Sequence, residues 1–241
     1  MFPILKLARN RLRSDADYRA MQAYIATISV NELEQRSVRM GDCDVLELAA
    51  GRGGYSTVLN SRAKSFLANE IAGDTFFEEQ GIPFLAFDVM EPFPLPSESF
   101  DLVYCSSLIE HVADPSKMLR ECRRVLRRDG TLYLSFPPFY SLAMVGGHGF
   151  KPYHLLGETA ALWAYNRRHG SNLRNYAEVG NNLSLYPLTI GEVTGLITRA
   201  GFGISHRFTR MSPINTAKWP WFLKDLATWH VCYLARPEVS A

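Results

Sequence analysis

The sequence predicts an α/β fold, a mostly parallel sheet with helices on both faces, and three observations carry that reading. Short apolar runs alternate with helix-compatible segments, several runs end at a polar residue, and the first opens directly into a glycine-rich loop. Strands covered on both faces read as near-continuous apolar runs, which is what these segments are.

The first run is Asp44 to Ala49, followed by Ala50-Gly51-Arg52-Gly53-Gly54 and by residues Tyr55 to Arg62, which can turn as a helix. Ser65 to Glu70, Pro83 to Asp88 and Phe100 to Cys105 are the next three runs. Met118 to Leu126 has helical periodicity, stops at Arg127-Arg128-Asp129-Gly130, and leads to a strand over Thr131 to Phe136. After Pro137-Pro138 the alternation breaks. Residues 139–188, rich in Gly, His, Tyr and Asn around a helical stretch near Gly157 to Arg168, read as an insertion after the fifth strand. A helix from Thr189 to Ala200 follows, with Thr189 and Glu192 at capping-box spacing, then Gly201 and a strand near Phe202 to Phe208. The Pro- and Trp-rich residues 213–228 lead to a last strand, Trp229 to Ala235. The first forty residues mix Arg9, Arg11, Arg13, Arg19, Arg36 and Arg39 with apolar residues at near-helical spacing, as a solvated helix face does.

With 241 residues and 47% apolar content, the chain reads as one domain: an N-terminal helical segment 1–40, a cofactor-binding core 41–138, a lid and acceptor insertion 139–188, and a C-terminal part of the sheet 189–241. A formal charge of +2 gives no overall field for nucleic acid or an anionic surface. No run approaches the roughly 18 apolar residues of a spanning helix, and no signal-peptide core opens the chain, so the expectation is a cytoplasmic protein without stable membrane insertion. Cys43, Cys105, Cys122 and Cys232 are scattered without a C-x-x-C pair, which predicts buried free thiols.

A glycine loop between strand and helix lets backbone N–H groups approach a ligand closely. Gly51-x-Gly53 opens like a dinucleotide fingerprint, but Ser56 stands where the third glycine belongs, which demotes a nicotinamide oxidoreductase. Polar residues at the carboxyl ends of successive strands lie where ligands bind in open α/β sheets. Glu70, about twenty residues after the loop, can accept from both ribose hydroxyls. Asp88 can accept from an exocyclic amine while the Val89 N–H meets a ring nitrogen. Each also has a plain structural reading: a tight turn, a solvated strand end, a turn cap before Pro92. Asp101 begins its strand on the side away from ligands and reads as structural.

Val45 to Gly54, Phe87-Asp88, Phe100 to Val103, Leu108-Ile109-Glu110-His111-Val112 and Leu126 to Leu132, in this order over roughly residues 40 to 140, resemble the motifs of class I S-adenosylmethionine-dependent methyltransferases of the type 11-like group. The resemblance implies a Rossmann-like seven-stranded sheet whose final strand is antiparallel, and S-adenosyl-L-methionine as cofactor. It places Glu47, Gly51 and Gly53 near the methionine moiety, Glu70 on the ribose, Asp88 and Val89 on the adenine, and Cys105 and Ser106 beside the sulfonium. Ala50 stands where many members have Cys or Ser. A fold of this kind that has lost catalysis and only binds partners is the alternative of a different class.

Methyl transfer from a sulfonium mainly requires alignment of the acceptor and, for a hydroxyl, removal of its proton. The acceptor pocket is assigned to the insertion. His148, in a glycine-rich stretch, is the first candidate base, His154 the second and His111 the third. Asn166, Arg167, Asn172, Arg174, Asn175, Tyr176, Asn181, Asn182 and Tyr186 suit a saccharide or polyol. Glu110, His111, Asp114 and His148 are hard ligands that a divalent ion such as magnesium can use, although their spacing is not diagnostic. Phe139, Tyr140, Leu142, Met144, Trp163 and Trp219 to Phe222 offer the opposite reading, a greasy wall for a lipid or quinone. No Asn-Pro-Pro-Tyr or Asp-Pro-Pro-Tyr run follows the fourth strand, which argues against nucleic acid. A small-molecule acceptor is expected, and a homodimer is compatible with the sequence.

Overall fold

The computed structural model describes residues 14–142, 150, 152–178, 184–210 and 219–238. Seven strands form one sheet: β1 Asp44–Leu48, β2 Ser65–Glu70, β3 Phe84–Ala86, β4 Phe100–Ser106, β5 Leu126–Phe136, β6 Phe202–Arg210 and β7 His230–Pro237. Their order is β3-β2-β1-β4-β5-β7-β6. β1 pairs in parallel with β2 and β4, β3 with β2 and β5 with β4, whereas β7 runs antiparallel between β5 and β6. The chain therefore reverses its winding between β1 and β4, and the crevice at their carboxyl ends is the place such sheets bind ligands.

Helices α1 Asp15–Glu34, α2 Gly54–Arg62, α3 Thr75–Glu79, α4 Pro115–Val125, α5 Glu158–His169, α6 Ile190–Arg199 and α7 Trp221–Ala227 accompany the sheet. Alternation along the strands sorts the core into two layers. Leu46, Leu48, Val103, Cys105, Leu132 and Leu134 join α4 and α6 on one face. Val45, Leu102, Tyr104 and Tyr133 pack with Val30, Leu33 and Leu59 on the other. α4 starts where Asp114 accepts from the Ser116 and Lys117 amides with Pro115 in its first turn, and buries Met118, Leu119, Cys122 and Val125 as one stripe. The Thr189–Glu192 capping box is formed at the start of α6. All four cysteines are free and buried.

The structure departs from the sequence reading in several places. β5 begins at Leu126 and runs through Arg127 to Gly130, the residues read as a helix stop, because the edge is pinned by Arg127 to Asp44 at 2.9 Å and to Asp101 at 2.5 Å. Asp101 is thus structural, as expected. β3 ends at Ala86 instead of Asp88, since Asn69 Nδ2 takes the Phe87 carbonyl at 2.9 Å and bends the chain out of the ladder. The short helices α3 and α7 are not among the elements the sequence predicts, both being too short to show a period. The basic residues of the N-terminal segment are only partly a solvated face: Arg19 lies over the Phe76 ring and Arg36 over Phe208. No helix among the described residues is long and apolar enough to cross a membrane.

Candidate active site at the carboxyl edge of the sheet

The site is built where β1 and β4 separate. Beyond β1 the chain turns through Ala49 at φ 53°, and beyond β4 through Ser107 at φ 53°, two non-glycine residues in the left-handed region just past the paired ends of the two strands at the switch point. Strain of this kind persists only where the surroundings enforce it, and it gathers at functional sites. After Ala49, the Ala50 N–H bonds the Asn69 carbonyl at 2.8 Å and the Gly53 N–H closes on the Ala50 carbonyl at 3.0 Å, so the loop folds back over the sheet edge. Gly51 has φ +57°, and a Cβ added there would meet nothing within 4 Å; its backbone borders open space. Gly53, at φ +79°, caps α2, and a side chain there would strike the Phe76 ring at 2.3 Å. The glycine loop thus leads directly into the N-terminus of α2 beside the crevice.

Glu70 closes the loop from the neighbouring strand. Its Oε2 accepts from the Gly51 N–H at 2.8 Å and its Oε1 from the Ile71 N–H at 2.9 Å, leaving further lone pairs on both oxygens for vicinal hydroxyls. Ile71, beside it, is 65% exposed, an apolar side chain open at the same edge. Glu47 is buried, accepts from Ser56 Oγ at 2.6 Å, and is pushed up to about 8 by burial, with the Ser56 bond opposing and the Glu70 charge adding to the shift. A cationic group bound beside it would restore its charge. Asp88 accepts from the Met90 N–H at 2.9 Å, so one oxygen holds the turn that presents Val89. Ser106 bonds Ser135 Oγ at 3.0 Å, whereas the Cys105 side chain is sealed in the core against the α4 layer, leaving only its backbone at the edge.

These residues fit an adenosyl ligand with a charged amino-acid tail: a side-chain-free cradle at Gly51, a strand-end carboxylate at Glu70, a turn amide at Val89 and a buried acid at Glu47. Two contributors escaped the sequence reading. Asn69 holds the Phe87 carbonyl, and with it the turn carrying Asp88 and Val89; a lone amide inside an apolar strand is its one sequence signal. α1 lies against the loop. Arg52 pairs with Asp15, and a Cβ on Gly54 would meet Gln22 Cβ at 2.5 Å and the Arg19 carbonyl at 2.6 Å.

The turn after β4 lies at the same carboxyl edge. Ile109–His111 is tied to the returning end of the insertion: the Tyr186 N–H bonds the Glu110 carbonyl at 2.8 Å, and His111 Nδ1 lies 2.7 Å from the Ser184 carbonyl. That contact assigns the proton to Nδ1 and the lone pair to Nε2, while burial lowers the His111 pKa, opposed by the Ser184 bond. Both Glu110 carboxyl oxygens are buried with no hydrogen-bond partner among the described residues, and burial pushes the group up to about 8. His154 is fully buried, edge-on to Phe139. His148, Asn181, Asn182 and Met144 lie outside the described residues.

Of the four possible cation ligands, Glu110, His111, Asp114 and His148, the last lies outside the described residues. Among the described residues no cluster of three or more His, Cys, Asp or Glu can hold a metal ion. Asp114 spends its carboxylate on the α4 amides, and Glu110 is sealed inward. Asn166 is used within the insertion, bonding Leu173 and Ser171, whereas Asn175 stands exposed and donates one N–H to Glu178. Phe139 and Tyr140 belong to the insertion's own core instead of a greasy wall.

A family profile described as a methyltransferase domain matches residues 46–134, the span from β1 through β5 that holds the loop, Glu70, Asp88 and the Glu110 turn. An uncharacterized methyltransferase of Mycobacterium bovis is 28% identical over 190 residues, covering 76% of this chain and 69% of that protein. The sheet and its helices superpose on an S-adenosylmethionine-dependent methyltransferase of Mesorhizobium loti with a TM-score of 0.59 at 18% identity, over 86% of this chain and 96% of that one. A second such enzyme, from Clostridium acetobutylicum, gives a TM-score of 0.60 at 14% identity over 89% of this chain and 91% of that one. The matched methyltransferase domain thus spans the strands that build the crevice, and the sheet around it has the fold of those S-adenosylmethionine-dependent methyltransferases.

Proposed function

We propose that this methyltransferase acts on a hydroxyl of a saccharide or related polyol, that Glu47, Gly51, Gly53, Glu70, Asp88, Val89, Cys105 and Ser106 form the cofactor side of the site, and that His111 takes the acceptor proton. The bound S-adenosylmethionine supplies an electrophilic methyl group. The chain's task is to position the acceptor oxygen in line with it and to receive the proton as charge develops. One observation carries the choice of His111: it stands on the turn where the insertion is stitched to the carboxyl edge, with Nδ1 on the Ser184 carbonyl and the basic lone pair on Nε2. A lowered pKa keeps the ring neutral, and so able to accept a proton, at neutral pH. The sequence's first choice, His148, becomes the competing base, and the burial of His154 weighs against it. Asn172, Arg174 and Tyr186 remain the polar groups suited to hydroxyl recognition.

A second reading, an apolar acceptor, is favoured by Leu142 and Trp163, which stand 61% and 60% exposed on the insertion. A screen of sugar, phenol, quinone and lipid acceptors for S-adenosylhomocysteine release, with and without magnesium and chelator, separates the two. Turnover of apolar acceptors alone would refute the saccharide reading, and loss with chelator would point to a metal-held hydroxyl. His111→Ala should lower turnover by roughly 10²- to 10⁴-fold while leaving S-adenosylhomocysteine affinity unchanged. A variant as fast as the wild type would move the base to His148.

A further inference from the structure

Among the described residues, six large apolar side chains stand open to solvent, and five of them, Leu142, Tyr153, Leu155, Leu156 and Trp163, belong to residues 139–188. Four of these share one unit, the single turn Tyr153–Leu156 and the helix α5 that follows it. The unit's inner side is occupied by His154, Ala161 and Leu162, which are buried beside Phe139 and Tyr176. Its outer side carries Leu156 at 73% exposure and Trp163 at 60%. A single exposed leucine is ordinary, but four large apolar side chains on one turn and helix call for a partner.

The charges around them narrow the choice. The Arg167 guanidinium lies 5.8 Å from the Trp163 ring centroid, and Arg168 and His169 follow, exposed, at the same end of α5. The acids of this stretch face the insertion's own backbone: Glu158 accepts from the Tyr176 N–H at 2.7 Å, and Glu178 from the Arg174 N–H at 2.8 Å. Protruding leucines and a tryptophan with a cationic rim complement an anionic bilayer, whose acyl boundary takes the apolar side chains and whose phosphates take the guanidinium groups. A second copy fits less well, because isologous pairing would set Arg167 and Arg168 of one chain against the same positive rim of the other.

We propose that the Tyr153–His169 face docks on an anionic lipid bilayer, lying in its surface without crossing it. This goes beyond methyl transfer and does not depend on which acceptor is used. The test is cosedimentation of the full chain with phosphatidylcholine vesicles, with and without phosphatidylglycerol. Binding should require phosphatidylglycerol and weaken with salt. Leu156→Ser and Trp163→Ser should each weaken it about tenfold without changing the melting temperature. Arg167→Gln with Arg168→Gln should remove the preference for phosphatidylglycerol. No sedimentation with anionic vesicles, equal binding to both vesicle types, or binding indifferent to these substitutions would overturn the proposal. So would a concentration-dependent dimer that the same serine variants dissociate, since the face would then belong to a second copy.

Discussion

Glu110 and His230 pull the pH dependence of stability in opposite directions. Glu110 is held neutral in the fold, up to about 8, whereas the unfolded chain releases that proton near 4.5. Between those values the folded state binds more protons, so this contribution to stability is present below about pH 4.5 and is lost as pH rises toward 8. Glu47 adds a slope of the same sign. His230 is pushed down to about 3 by burial and by the Arg210 charge, so its contribution is lost as pH falls from 6.5 toward 3. Melting curves of wild type and Glu110→Gln should nearly coincide at about pH 5 and separate toward about pH 8, with the variant the more stable at the upper end. A difference independent of pH would mean that Glu110 is ionised inside the fold.

At the scale of elements, α1 and the insertion bracket the crevice. α1 lies so close to the start of α2 that Gly54 has no room for a side chain. Gly54→Ala should therefore displace α1 and destabilise the protein by about 1–3 kcal/mol, the usual cost of overpacking. For a chain of this size that is a fall of about 2–4 °C in melting temperature per kcal/mol. An unchanged melting curve would show that α1 yields freely. On the other side, the insertion is joined to the β4 turn by the Ser184 and Tyr186 contacts, as a lid hinged on the site would be. Hydrogen exchange across 152–178 should slow when cofactor and acceptor are both bound. Equal exchange with and without ligands would make it a rigid insertion.

Across the whole molecule, the strands, the glycine loop and the α6 capping box were legible in the sequence, because two-sided burial writes strands as apolar runs and turns demand particular residues, whereas the antiparallel direction of the last strand was implied only by the family resemblance. Glu70 could be placed at the sheet edge for the same reason, as the polar end of such a run. Contacts between distant segments were not legible. Nothing in the sequence shows that α1 covers the loop, that Asn69 holds the Phe87 carbonyl, that Asp114 is taken by α4, or that Asn166 is used within the insertion. Those depend on which polar group meets which backbone atom once the sheet has formed, and a single sequence carries no distance information about that.

We place the cofactor in the crevice between β1 and β4, with Glu70 at its centre. Titration calorimetry of S-adenosylhomocysteine into wild type and into folded Glu70→Ala tests this most directly. Removing a charge-assisted contact worth about 1.5–3 kcal/mol should weaken binding about ten- to hundredfold. Equal affinity in the two proteins, or a wild type that binds NAD in preference to S-adenosylhomocysteine, would contradict it.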